Sequence, residues 1–370
     1  YSYLVASSEE GKSIKAIISY KDGQEFDETV ATSSANIPYV NNGQATFSIN
    51  GTPAVGNTLS INQDSPDPDG SPFNKVKQIF SNSSAFAALK DDGSVVTWGD
   101  SDYGGDSSSV SSQLKSGVKK IFSKSDPFEK IFMAFAALKN DGSVVTWGVP
   151  SRGGDSSSVS DNLTSNVDDI FASSDAFAAL KNDGSVVTWG ASDHGGDSSS
   201  VSDQLNSGIK QLSSNFGAFA ALKNDGSVVT WGSPNDGGDK KLFHQNERIS
   251  VGHQLNSGVE KIFSSGSAFA ALKDDGSVIT WGSFRHDENI LGNQLNSGVK
   301  EIFNNTFAFA AIKDDGSAIS WGFSRFGGDS SSVSNQLSSG VKEIFSTSRA
   351  FAALKDDGSV ITWGFNSAGG

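Results

Sequence analysis

The stretch FAALKDDGSVVTWG, residues 86–99, recurs in near-identical form seven times along the chain. Every tryptophan belongs to it: Trp98, Trp147, Trp189, Trp231, Trp281, Trp321 and Trp363. Successive tryptophans are 49, 42, 42, 50, 40 and 42 residues apart, so the underlying period is 42. A period in this range marks a solenoid, a propeller or an array.

Each unit opens with V-x-x-I-F or a close variant, at Val76, Val118, Val167, Ile209, Val259, Val299 and Val341. Spacings between openings and tryptophans place an insertion of seven residues between Phe122 and Ala134. A second insertion, of eight, lies between Trp231 and Val259. Three strands are expected per unit, in blade one at 76–80, 85–90 and 94–99, the last rich in β-branched residues. Asp92-Gly93 between the last two reads as a two-residue type I′ hairpin turn, which needs positive φ at both positions. The connecting stretch GGDSSSVSSQL (104–114) offers a fourth, outer strand.

Neither face of the middle strand is polar: Phe86 and Ala88 point one way, Ala87 and Leu89 the other. That suits small sheets covered on both sides by neighbouring sheets, with a tryptophan burying about 200 Å² at each interface. The expected fold is all-β, a seven-bladed β-propeller over residues 73–370 with a short β-rich region at 1–72. Period-2 patterning excludes a helical solenoid, and a β-helix needs shorter repeats. For ring closure two routes are expected: a strand from residues 60–75 pairing with the last unit, or continuation of a longer parent protein.

SGVKKIF, AALKNDGSVVTWG and the Tyr-Gly-Gly of DSDYGG together resemble the regulator of chromosome condensation repeat. Bacterial relatives typified by the β-lactamase inhibitory protein of the same propeller type are closer still. The resemblance covers 73–370 and implies the same seven-bladed fold. It departs from the family pattern at Asn82 (family Gly), Ala85 (family His) and Gly105 (family Gln), the mark of a divergent subgroup. No motif of the chain corresponds to guanine-nucleotide exchange. Residues 1–72 differ in texture. GKSIKAIISYKDGQEFDETVATSS (11–34) alternates like two strands joined at Lys21-Asp22-Gly23, and GTPAVGNTLSINQDSPDPDG (51–70) adds a strand and an acidic loop. Both pieces resemble bacterial immunoglobulin-like repeats of cell-surface proteins, with the closing half first and the opening half second. As an EF-hand loop the DPDG stretch supplies Asp67 and Asp69 but lacks the bidentate glutamate, so an acidic solvated turn is the better reading.

Composition narrows the function classes. The chain of 370 residues has no cysteine, which removes disulfides, thiolate zinc sites and cysteine nucleophiles. A formal charge of −14 argues against nucleic acid, whose affinity rests on Lys and Arg neutralising phosphates. No apolar run is long enough to span a bilayer. The start at Tyr1 and the single methionine, Met133, fit a processed or excised segment. His194, His244, His253 and His286 form no metal-binding pair, and neither a nucleophile elbow nor a phosphate-binding loop is present, so no catalytic residue, metal or cofactor is expected.

What remains is the variation among the units. The turn after the first strand and the loop after Trp-Gly emerge on one face of the disc, here the upper face. There the units carry Tyr103, Arg152, His194, Asp236 or Phe326 after Trp-Gly, and Ser84, Met133, Asp175, Gly217, Ser267, Phe307 or Arg349 before the second strand. Arg285 and His286 lie near the same position of the fifth unit, and the insertion KSDPFEK (124–130) enters on this face. Tyr103, Arg152, His194, Arg285, Phe307, Phe326 and Arg349 are the candidate binding residues, because aromatic and Arg side chains dominate binding hot spots. Against this stands free drift of exposed turns. The expected function is a non-catalytic module of monomeric form for protein recognition or adhesion, in an extracellular or cell-surface protein. A lectin-like module for surface glycans and a propeller lyase or esterase are the alternatives.

Overall fold

The computed structural model describes residues 76–123, 134–244, 247–283, 288–289 and 292–370, and before them the backbone of seven short strands. Contacts divide the chain into units 1–75 and 76–370. In the first unit Ile17–Lys21 and Asp27–Ala31 pair as the expected hairpin, and Ser13–Ile14 pairs with Ala35–Asn36. Ser60–Ser65 pairs with Thr46–Asn50, which also pairs with Ser2–Leu4. The closing strand expected from 60–75 is therefore not supplied by Ser60–Ser65; Asp67 and Asp69 lie outside the described residues.

The second unit holds seven sheets, one per repeat, each built on three antiparallel strands, as the propeller reading requires. Blade 1 consists of Val76–Ser81, Ala85–Lys90 and Val95–Gly99; blade 7 consists of Val341–Ser346, Ala350–Lys355 and Val360–Gly364. The intervening blades repeat the plan, with middle strands at Ala134–Lys139, Ala176–Lys181, Ala218–Lys223, Ala268–Lys273 and Ala308–Lys313. The spacing V-x-x-I should put its two apolar residues on opposite faces of a regular strand. A bulge after the first residue, the same in every blade, consumes one position and restores parity. Val118 and Ile121 are consequently both buried.

Six hydrophobic clusters, each shared by two successive blades, hold the stack together. Between blades 1 and 2, Ala85, Ala87 and Leu89 meet Val118, Ile121, Phe135 and Trp147. In each blade the tryptophan stacks on the phenylalanine of its own middle strand, at 5.2–5.5 Å in the examples of Phe135–Trp147 and Phe351–Trp363. In blades 2, 3, 4, 6 and 7 the indole N–H also reaches back to the preceding blade: Trp147 donates to the Gly104 carbonyl at 3.1 Å and Trp231 to Gly195 at 3.0 Å.

Two expectations need correction. The fourth strand is absent from 104–114. There the Asp106 carboxylate accepts the Ser108 N–H at 2.8 Å and starts a 3-10 turn at Ser108–Val110. Side-chain bonding of this kind offers the backbone an alternative to a ladder. The connector is tied to the sheet by Val95 N–H to the Leu114 carbonyl and by the Thr97 hydroxyl to the Ser107 hydroxyl, both at 2.9 Å, and plugs Leu114 between blades. Among the described residues blades 5 and 6 gain extra strands: the hairpin Lys241–His244 and Glu247–Ser250, formed at the eight-residue insertion, and Glu288–Asn289.

The Asp-Gly turn also differs from type I′. Gly93 has φ +78, but Asn166 and Lys240 are the non-glycine residues with positive φ among those described, so Asp92 does not share it. Lys90 and Ser94 close a three-residue loop, with Gly93 N–H donating to the Lys90 carbonyl at 3.0 Å. This is a type I turn followed by a left-handed glycine bulge. The aspartate stays out of the left-handed region because its carboxylate accepts the N–H two residues on, as Asp92 does from Ser94 at 2.7 Å.

Those bonds hold the turn aspartates below the usual carboxylate range. For Asp141, Asp183, Asp225, Asp275, Asp315 and Asp357 the serine hydroxyl is the larger cause and its N–H the next. For Asp106, Asp155 and Asp197 the N–H comes first. A carboxylate lowered in the folded state stabilises the fold above its ordinary value of 3.8, and this is lost as pH falls through the lower, folded value. Thermal melts should stay level from about pH 7 to pH 4 and fall below that. Replacing Asp141, Asp183 and Asp225 by Asn should flatten the acid limb; an unchanged limb would contradict this origin.

Candidate binding face

The upper face is built by a ladder that continues past the glycine of Trp-Gly. The N–H of the next residue donates to the carbonyl just before the middle strand: Asp100 to Ser84, Ala191 to Asp175, Phe323 to Phe307 and Phe365 to Arg349, at 2.9–3.1 Å. A polar residue at the end of the first strand adds a second tie, 21 residues long in sequence. Asn82 donates to the Tyr103 carbonyl, Ser173 to His194, Asn305 to Phe326 and Thr347 to Ala368. Asn82 also accepts from the N–H groups of Ser84 and Ala85. Asn82 thus pins both variable segments of its blade together.

Two groups of candidate residues meet. On blades 6 and 7, Phe307 and Phe326 lie 4.8 Å apart, and Phe323 and Phe326 are likewise at 4.8 Å, edge to face. Phe326 crosses to blade 7 and meets Phe365 at 5.5 Å. The Arg349 guanidinium lies over Phe326 at 5.2 Å and near Phe365 at 5.7 Å; Arg325 lies over Phe365 at 4.9 Å. The four rings and Arg349 are half-buried and Arg325 is exposed. A cavity of about 660 Å³ opens beside them, lined by Arg325, Asp329, Trp363, Phe365 and Asn366 among others. Cation–π contacts of this kind hold the Arg325 and Arg349 guanidinium groups over the rings.

On blades 2 and 3, Arg152 pairs with Asp175, and His194 Nε2 lies 3.8 Å from the same carboxylate oxygen. Nδ1 of His194 faces Asp193 at 2.9 Å, and the Asp193 carboxyl is held low, mainly by that hydrogen bond. Asp175 is buried, and Arg152 and His194 are half-buried above it. Tyr103 stands apart on blade 1, half-buried, its carbonyl used by Asn82. Arg285, Met133 and the insertion 124–130 lie outside the described residues. Sequence reading missed Phe323, Phe365 and Arg325. Its signal was available: the residue after Trp-Gly is aromatic only in blades 6 and 7.

Among the described residues no group of three or more His, Asp or Glu is placed to hold a metal ion, and no helix is long and apolar enough to cross a membrane. The fold and face together define a class: a β-propeller built from tandem three-stranded repeats, with its variable side chains on one rim. The regulator of chromosome condensation (RCC1) repeat matches residues 76–104. No curated protein sequence matches the chain. Among solved structures, the CRINKLY WD40 ectodomain of the Arabidopsis thaliana receptor kinase ACR4 is similar with TM-score 0.38 and 16% identity, covering 78% of this chain and 96% of that one. Prp20p of Saccharomyces cerevisiae, described with binding to Gsp1p and histones, is similar with TM-score 0.38 and 15% identity over 68% of this chain and 72% of its own. Yeast RCC1 (Prp20) bound to Kap60 gives 0.39 and 16% over 68% and 70%. Similarity at this level assigns neither partner nor activity.

Proposed function

We propose that this chain is a non-catalytic recognition module that binds another protein through the upper face of blades 6 and 7. One observation carries the reading: four phenylalanines and two arginines from separate repeats converge on one rim, beside a cavity. Partly exposed aromatics with stacked guanidinium groups are the composition of binding hot spots. The partners of the yeast propeller are not carried over. The resemblance of 11–34 and 51–70 to immunoglobulin-like surface repeats supports, as part of the proposal, a place in a larger surface or secreted protein, with the propeller at 73–370 as its recognition domain.

A lectin reading requires like polar and aromatic groups at equivalent places in several blades. Among the described residues the clustered aromatics of this face belong to one blade pair, which favours one protein partner over repeated sugar sites. The test is the full chain against secreted and surface proteins and a glycan array, followed by Phe326→Ala with Arg349→Ala. Loss of two anchors should weaken the protein partner by at least about 30-fold, with the melting curve retained. Unchanged affinity would remove this face from consideration, and saturable glycan binding would favour the lectin reading.

A further inference from the structure

The added strands of blades 5 and 6 sit at the same place on their sheets. In blade 6, Glu288–Asn289 pairs antiparallel with the upper end of the third strand, Asn289 opposite Gly322 and Glu288 opposite Phe323. In blade 5, Leu242 and Phe243 of the inserted hairpin lie parallel to Gly282 and Ser283. Each added strand comes from the connector that precedes its blade. With it in place the third strand runs one residue past Trp-Gly, to Ser283 and to Phe323, whereas in blade 7 it stops at Gly364.

Blade 7 has the same edge without the strand. Phe365 donates its N–H to the Arg349 carbonyl at 3.0 Å, so the alternation of an antiparallel ladder turns the N–H and carbonyl of Gly364 outward. Phe323 and Phe307 do the same for Gly322. Among the described residues no strand pairs with this outer side of blade 7. Gly370 closes on Gly364 as Gly328 closes on Gly322, with a Cβ 2.4 Å from the carbonyl carbon in both, so this contact leaves room for a strand. Where the strand would run lies the cavity of about 660 Å³, between Ser324, Arg325 and Asp329 of the preceding connector and Thr362, Gly364 and Phe365 of the edge. Blades 1–4 also lack the strand, but they carry Asp100, Val149, Ala191 and Ser233 where blades 6 and 7 carry phenylalanine.

Unpaired backbone groups at a sheet edge are a template for another chain. The charges of the cavity say what that chain brings. The Asp329 carboxylate accepts the Ser331 N–H at 2.8 Å within its own connector. The Arg325 guanidinium, exposed and 4.9 Å over Phe365, forms no ion pair among the described residues.

We propose that this edge binds an extended segment of the partner protein by strand addition. The segment pairs antiparallel with Gly364 and Phe365, as Glu288–Asn289 does in blade 6, and sets a carboxylate against Arg325. Backbone hydrogen bonds hold it, and the side chains on either side select it. This names the partner's form and rests on the reading of the upper rim as a protein-binding face.

The probe is a synthetic peptide copying residues 284–291, FRHDENIL, which contains the blade 6 strand. Titrated into the isotope-labelled full chain, it should shift the Gly364 and Phe365 amide signals and slow Gly364 N–H exchange at least about 10-fold. Methylating the peptide nitrogen at Asn289 removes the donor aimed at Gly364 and should weaken binding about 10-fold. Arg325→Glu should weaken it by a similar factor, because like charges then meet. No shift at Gly364 with millimolar peptide would overturn strand addition, while the rim reading would stand if Phe326→Ala with Arg349→Ala still weakens the protein partner. Equal binding of the methylated peptide would also overturn it, since side chains alone would then make the contact. So would a light-scattering mass of two chains without peptide, which identifies a second copy as the occupant.

Discussion

Trp231→Ala is expected to destabilise the propeller by about 3–5 kcal/mol, the range for emptying a large aromatic site in a packed core. The ring is buried between blades 3 and 4, stacks on Phe219 at 5.3 Å, and donates its N–H to the Gly195 carbonyl at 3.0 Å. Little can fill the space left behind. Its neighbours Ala176 and Ala178 are small and held by their own strand, and Phe219 is already packed beneath Gly195, where a Cβ would lie 2.6 Å from its ring. Repeats contact only their neighbours, so hydrogen exchange should rise first in blades 3 and 4. Urea unfolding measures the loss, and a change below about 1 kcal/mol would show that the interface relaxes far more than a packed core does.

Arg152→Ala is the second large effect, expected at about 3 kcal/mol, because it leaves a buried carboxylate without its cation. Asp175 is 4% exposed; one oxygen faces Arg152 and lies 3.8 Å from His194, and the other has no hydrogen-bond partner among the described residues. The cost is mainly that of the stranded charge. The double variant Arg152→Ala, Asp175→Ala should therefore be more stable than Arg152→Ala alone, a non-additivity read by a double-mutant cycle. A loss within about 0.5 kcal/mol for the single variant would mean that water reaches Asp175 and the pair behaves as a surface ion pair. Arg152 and His194, candidate binding residues from the sequence, thus also face a buried carboxylate that repeat variation alone does not reveal.

Phe307, Phe326 and Arg349 were legible as candidates because they break the repeat on the correct face. Their convergence was not legible, since it depends on Phe326 crossing from blade 6 to meet Phe365 of blade 7. The Asp-Gly turn shows a different gap. Two-residue and three-residue loops share the Asp-Gly signal, and only the Asp92–Ser94 bond selects between them. The connector misled for the same reason: its serines and Asp106 divert the backbone into a 3-10 turn that no strand pattern anticipates.

By itself the sequence determined the repeat period, the three strands of each blade and the two apolar faces of each middle strand; its expectation that every tryptophan is buried holds from blade 2 onward and fails at Trp98. These follow from local alternation and from side chains too large and apolar to be left in water. Only the tertiary structure decided which variable residues meet, which charges are buried, and that Phe86 and Trp98 of blade 1 stand uncovered. Those outcomes depend on what lies across an interface, and seven nearly identical units give seven nearly identical local instructions. Position in the stack, not the residues of any one unit, distinguishes the first blade from the second.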